Sequence, residues 1–573
     1  MSQFVPQSNR IYEGILVDNF RDLISSATNR FHDKIAFTYK KDPSAKNPEY
    51  INITYSKHAQ DVKAFSSQLL HLGLEGKKVA IISHNKYQWP VSYMAINTGN
   101  MIAVPLDYLL PENEIVNLLN RSKAEAIIFD STFLKIFKNI AKNNSTSLKY
   151  FICMDLEEND NEILSFNKLL SDGYKLLESG DTTYDNIKVD PEKMSILLFT
   201  SGTTGMSKAV MLSQKNICSN ASTMTTLIKY KEGDKVLSFL PLHHTFECTA
   251  TYLFAYFSGF NICYCDGLRH IQKNMVEYGI SGLVCVPAVL EVMYRQINKV
   301  IKQKHLSIPV KILMGISNVL YACHIDVRRK LFKSILEQLG GKLRVIVYGA
   351  ASADPKITKF FNSIGISMLQ GYGLTETSPV IACESDKYTR LGSVGRPLFN
   401  EDVKIINPDE NGVGEITVKG PNVMLGYYEE PQKTDEVLID GYFHTGDLGY
   451  IDNDGYLFVT GRLKDMIVLN NGKKIFPQEI ELLLNDSEYI DDSFVYLARD
   501  GKLSCKLIYS TNELLANKSE EEIFDILKQE VKKVNEKTPT YKNIKNIEIS
   551  TIPLIKTTTQ KTKRFEEMKI VKF

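Results

Sequence analysis

Short apolar runs alternate with amphipathic stretches along most of the chain. Residues 79–83 form an apolar run with strand character, 89–97 have helical spacing, and 101–105 are again strand-like. Residues 113–122 repeat the helical pattern and 124–129 the strand. Strand, helix and strand in succession predict βαβ units and mostly parallel sheets. The pattern resumes at 194–199, at 282–286 before a helix over 288–301, and at a helix over 326–339 leading into a strand at 342–348. The longest apolar stretch, 252–265, is interrupted by Ser258, Gly259 and Asn261, which predicts a buried helix followed by a strand rather than a membrane span.

After about residue 399 the texture changes. Short alternating runs at 402–406, 414–419, 449–451 and 456–460 are separated by turn sequences such as Asn-Pro-Asp-Glu-Asn-Gly and Asp-Asn-Asp-Gly, predicting a β-rich region. Beyond Gly461 the expected order is a strand at 466–469, a helix at 477–485, a strand at 492–498 and a helix at 520–535. The expected architecture is α/β, with a large N-terminal domain over 1–463 and a small mobile α+β domain over 464–573. The large domain would contain two parallel-rich βαβ subdomains and a β-rich one.

Composition narrows the function. The 573 residues carry a formal net charge of +1, which gives no whole-protein attraction to nucleic acid. The first residues lack the basic-then-apolar order of a secretory signal, and nine scattered cysteines, an odd number, do not form a disulfide framework. A cytoplasmic enzyme is expected, with a peripheral place at a membrane and a homodimer left open.

The chemistry is concentrated at residues 197–208, Leu-Leu-Phe-Thr-Ser-Gly-Thr-Thr-Gly-Met-Ser-Lys. An apolar strand runs into Thr200, Ser201, Gly202, Thr203, Thr204 and Gly205, with Lys208 close behind. Small hydroxyl residues and glycines let backbone N–H groups converge on a polyphosphate, and the ammonium adds charge. The spacing is not that of a Walker P-loop, which argues against an ATPase of that class. A second glycine segment, residues 370–377, reads Gln-Gly-Tyr-Gly-Leu-Thr-Glu-Thr. Tyr372 offers an aromatic face for a base, Gly373 allows close backbone approach, and Glu376 supplies the carboxylate oxygen that Mg²⁺ prefers.

With these go Leu-Pro-Leu-His-His-Thr-Phe-Glu at 240–247, Gly-Glu-Ile-Thr-Val-Lys-Gly at 414–420, His-Thr-Gly-Asp at 444–447, Gly-Arg-Leu-Lys-Asp at 461–465 and Thr-Thr-Thr-Gln-Lys at 557–561. In this order the motifs resemble those of the adenylate-forming, AMP-binding synthetases, and most closely the long-chain fatty acyl-CoA synthetases. The resemblance runs from about residue 30 to 565 and implies ATP and CoA as cosubstrates, a fatty acid substrate and Mg²⁺.

The resemblance also implies roles. Thr375 would bond the α-phosphate, Glu376 would hold the metal, and Asp447 and Arg462 would meet the ribose. Gly349 and Ala350 would lie against the nucleotide. Lys561 would be the catalytic lysine, although Gln560 stands where many relatives have glycine and Lys563 competes for the role. His244 would gate the acyl site, or else be a packed core histidine. Val286, Pro287 and Ala351 would border the acyl channel. Lys464 would be the hinge, and Gly472, Lys473 and Lys474 would line the thiol arm of CoA. Two rival acceptors or substrates follow from the same scaffold. A carrier-protein thiol is compatible with the sequence. Amino-acid adenylation needs an acidic anchor, and residues 241–246 contain none.

Overall fold

The computed structural model describes residues 10–200, 207–351, 353–469, 473–509, 514–516, 518–556 and 562–572. Two large sheets stand behind the site. In the first, eight strands run in the order Gly426–Tyr427, Lys208–Ser213, Met194–Thr200, Ile102–Pro105, Lys78–Ile82, Ala126–Phe129, Tyr150–Cys153, Ile163–Ser165. Pairing is parallel from Met194–Thr200 to Ile163–Ser165 and antiparallel at the other edge. The second sheet has nine strands, with a parallel centre that includes Gly282–Cys285, Val345–Tyr348 and Ser367–Gly373. The near-continuous apolar runs read from the sequence are these central strands, buried on both faces as parallel strands require.

Covering helices follow from local signals. Gln214–Met224 starts at a capping box in which Ser213 accepts from the Asn216 amide while the Asn216 side chain accepts from the Ser213 amide. Gln88–Thr98 is buried on every side, wedged against the first sheet. The apolar stretch near residue 252 gives a π-helical segment, Phe246–Leu253, then the helix Phe254–Ser258. Gly259 closes that helix at φ +86° before the strand Asn261–Tyr264. The helix expected over 326–339 is instead two short ones, Arg328–Leu331 and Lys333–Glu337. Phe332 at the interruption is buried with Ile335, Leu336 and Leu339, so the apolar stripe keeps its helical spacing across the break.

The β-rich region is an antiparallel sheet of five strands, Asp402–Ile406, Gly414–Lys419, Tyr442–Ile451, Leu438–Ile439 and Leu457–Arg462. After it come the paired short strands Ile467–Val468 and Lys474–Ile475, then a three-stranded sheet of Ile490–Leu497, Leu503–Tyr509 and Asn546–Ser550. The helices Pro477–Leu484 and Glu520–Lys537 share a separate core with that sheet. Ser519 and Glu522 cap the second helix reciprocally, and Glu520 and Glu521 in its first turn favour the positive end of the helix dipole.

Candidate active site

The parallel strands deliver the chemistry at their carboxyl ends, where open α/β sheets place ligands. Met194–Thr200 ends at the glycine loop. Val345–Tyr348 ends at Gly349 and Ala350, and Ala350 holds φ +68°, a left-handed conformation uncommon for a residue with a Cβ. The neighbouring strand Ser367–Gly373 runs into the turn Thr375–Thr377. Gly373 is required here, because a Cβ would lie 1.7 Å from the Pro379 carbonyl oxygen.

Two polar chains organise the site. The Tyr427 hydroxyl donates to Glu376 Oε1 at 3.0 Å, and Lys208 Nζ lies 3.4 Å from that hydroxyl and 4.4 Å from the ring centroid. Burial, then the Glu376 carboxylate, raises the Tyr427 phenol, so it stays protonated and donates. In the second chain the Tyr372 hydroxyl donates to Asp447 Oδ2 at 2.8 Å, while Arg462 Nε sits 3.0 Å from Asp447 Oδ1. Asp447 and Arg462 are cross-strand partners, so strand register fixes their pairing. Burial is also the main reason the Tyr372 phenol is held well above its ordinary range.

All of these groups except Asp447 line one cavity of about 1990 Å³. Thr200, Lys208, Tyr372, Thr375 and Glu376 line it, and so do Phe239, Phe254, Met275, Met293, Ile297 and Val300. His243, His244 and Glu247 line it as well. His243 is buried, makes no hydrogen bond with any described residue through either ring nitrogen, and has Nε2 3.5 Å from Asp107 Oδ1. Burial and then His244 hold its imidazole well below the usual range, hence neutral. Glu247 is fully buried. Ser238 Oγ and Thr251 Oγ1 bond its carboxyl at 2.6 and 2.9 Å, and burial pushes it up to about 8.

The small domain packs Pro477–Leu484 near the strand Leu457–Arg462, and Arg295 faces Asp491 across the junction at 3.7 Å. Lys556 and Thr562 form a bridge, and Lys556 and Lys563 both line the cavity. Lys464 sits in the turn Leu463–Asp465 and lines both this cavity and the cleft between the domains. Burial and Arg462 lower its ammonium.

A sequence model described as AMP-binding enzyme matches residues 24–428, and one described as AMP-binding enzyme C-terminal domain matches 464–569. The chain belongs to the AMP-binding enzyme family. Among its relatives is a chloroplastic long-chain-fatty-acid–[acyl-carrier-protein] ligase of Arabidopsis thaliana, 28% identical over 86% of this chain and 76% of the relative. Long-chain-fatty-acid–CoA ligase 5 of Mus musculus is 30% identical over 78% of this chain and 70% of its own. The crystal structure of the anthranilate CoA ligase AuaEII with anthranoyl-AMP matches at TM-score 0.74 and 19% identity, covering 98% of this chain and 97% of that one. That likeness shows the adenylate-forming fold.

In this AMP-binding enzyme the structure brings Thr200, Lys208, Gly349, Ala350, Tyr372, Gly373, Thr375, Glu376, His244, Val286, Arg462 and Lys464 to one cavity. Pro287, Ala351 and Asp447 line the interdomain cleft instead, which Ala350, Tyr372 and Arg462 also border. Lys473 and Lys474 are exposed, with Lys473 Nζ 4.4 Å from the Tyr541 ring centroid. Ser201, Gly202, Thr203, Thr204, Gly205, Gly472 and Lys561 lie outside the described residues. Sequence reasoning missed Tyr427 and Asp107. Tyr427 belongs to a two-residue strand that no periodicity reveals, and it arrives by pairing with Val210.

Proposed function

We propose that this adenylate-forming acyl ligase activates a long-chain fatty acid with ATP and transfers the acyl group to the thiol of CoA. The observation that carries the reading is the cavity. The phosphate-side residues and a set of large apolar side chains line the same space, and its volume exceeds the roughly 300–1,000 Å³ of ordinary small-molecule sites.

In the first step a carboxylate oxygen attacks the α-phosphorus, and the bond to the pyrophosphate oxygen breaks. The carboxylate is already ionised at neutral pH, so no general base is needed. Positioning and charge neutralisation supply the rate. Thr375 would bond the α-phosphate, and Lys208 and Lys561 would add positive charge. Asp447 would receive the ribose hydroxyls, on a carboxylate that Tyr372 and Arg462 hold in place. The residues fit Mg²⁺: Glu376, which lines the cavity together with Thr375, carries hard carboxylate oxygens, and the Tyr427 hydroxyl orients that carboxylate. When bound, the cation neutralises phosphate charge. In the second step the thiolate attacks the acyl carbon and AMP leaves, after the small domain has turned about Lys464 and withdrawn Lys561.

The phosphopantetheine thiol of an acyl carrier protein is the second reading. One observation supports it: of the two relatives named above, the carrier-protein ligase is matched over more of this chain. One assay separates the two. AMP release is followed with palmitate and either CoA or a holo-carrier protein. CoA is expected to give much the higher kcat/KM, and saturation only by the carrier protein would reassign the acceptor.

A further inference from the structure

The helix Ser307–Ala322 is apolar on every side, and Lys311 is its only charge in 16 residues. Its inner face is accounted for. Val310, Leu313 and Met314 pack on the core, Ser317 Oγ bonds the Ser363 carbonyl at 3.3 Å, and Asn318 Nδ2 bonds Ser363 Oγ at 3.0 Å. Its outer face is not covered by any described residue. Ile308, Ile312 and Ile316 follow one another at four-residue steps with Val319 alongside, and they are 71%, 59%, 49% and 65% exposed. Leu306, Tyr321 and Ile325 at the helix ends are also exposed. A helix apolar all round is normally buried, and a contiguous apolar surface of this kind marks an interaction site.

Charge around the patch identifies the partner. Residues 299–333 hold eight lysines and arginines and one acid, Asp326, whereas the whole chain carries only +1. Asp326 is engaged by Arg328. Lys302, Lys304, Lys311 and Lys330 make no ion pair with any described residue, and all four are exposed. A second copy of this chain docking face to face would set lysines against lysines. An anionic bilayer satisfies both features, since apolar side chains enter the acyl boundary while lysine stems lie along it and reach the headgroups.

We propose that Ser307–Ala322 is a membrane-docking helix that seats this enzyme on an anionic lipid surface. The site lies next to the apolar cavity. Val292, Lys299, Val300 and Gln303 line that cavity from the helix Pro287–Gln303, which ends just before the docking helix begins. A fatty acid dissolved in the bilayer would then reach the cavity without crossing bulk water. That consequence rests on the long-chain reading, but the docking does not.

The test is co-sedimentation of the full chain with phosphatidylcholine vesicles, alone or mixed with phosphatidylglycerol, without ATP or acid. A chain that activates some other acid would still bind, so failure of the substrate reading is distinguishable. Binding to the mixed vesicles is expected and should weaken with salt. The triple variant Ile308→Ser, Ile312→Ser, Val319→Ser should lower the partition coefficient at least ~10-fold, with unchanged circular dichroism and unchanged AMP release from a short soluble acid. Lys304→Gln with Lys330→Gln should reduce the preference for the anionic vesicles. Absence of vesicle binding by the wild type, or equal binding by the triple variant, would overturn the proposal. So would a wild-type dimer that the triple variant converts to monomer without any change in lipid binding.

Discussion

Among the described residues the Tyr427 hydroxyl holds the Glu376 carboxylate, and Tyr427 in turn carries Lys208 against its ring. Glu376→Gln keeps an oxygen for that hydroxyl and removes only the charge. The fold is therefore expected to survive, while acyl-AMP formation falls on the order of 10²–10³-fold. Pyrophosphate exchange measured across a Mg²⁺ series checks this, and a wild-type rate at limiting Mg²⁺ would remove Glu376 from the metal role. Glu247 makes a different prediction. Its folded carboxyl titrates at about 8, against an ordinary value of 4.5. The folded state then binds the proton more tightly than the unfolded state does. Stability from this group is complete below about pH 4.5 and is lost as pH rises to about 8, by up to ~1.4 kcal/mol per pH unit. Glu247→Gln retains polar partners for Ser238 and Thr251 without the ionisation, so its melting temperature relative to wild type should climb between pH 5 and 8. A difference that stays flat over that range would contradict the assignment. At this scale Gly373 was legible because its residue type is demanded locally. Gly373 has no room for a Cβ. Tyr427 and Asp107 were not legible, because what makes them part of the site is tertiary approach from remote segments.

Elements with a strong local signature were the readable ones. The helix expected at 520–535 is Glu520–Lys537, carried by its capping box and a regular apolar stripe. The two short helices in place of one over 326–339 show the limit, since Phe332, Ile335, Leu336 and Leu339 keep helical spacing across an interruption that an apolar stripe does not reveal. Ser307–Ala322 left no amphipathic pattern to find, for its exposed face is as apolar as its buried one. At the domain junction, Gly461 sits where a Cβ would lie 2.7 Å from the Phe476 ring, and Lys464 follows in a tight turn. If the small domain turns about Lys464, that residue must change its backbone dihedrals between the two steps. Lys464→Pro fixes φ near −65°. Pyrophosphate exchange should stay near wild type while thioester formation drops by orders of magnitude. Equal loss in both half-reactions on the soluble variant would place the hinge elsewhere.

At the scale of the whole molecule, two parallel-centred sheets present their strand ends to one cavity, and the small domain closes it with Lys556 and Lys563. Polar residues of the glycine segments and large apolar side chains share this space, so under the proposed function binding of the acyl chain and attack on the α-phosphate would take place in one cavity. Among the described residues, no helix is long and apolar enough to cross a membrane. The most direct measurement is the product balance of the purified chain with ATP, CoA and saturated acids of increasing length. The account predicts one AMP and one pyrophosphate per acyl-CoA, with kcat/KM rising steeply from short to long acids. ADP and phosphate as products, or a preference for short acids with no gain from added methylenes, would contradict it.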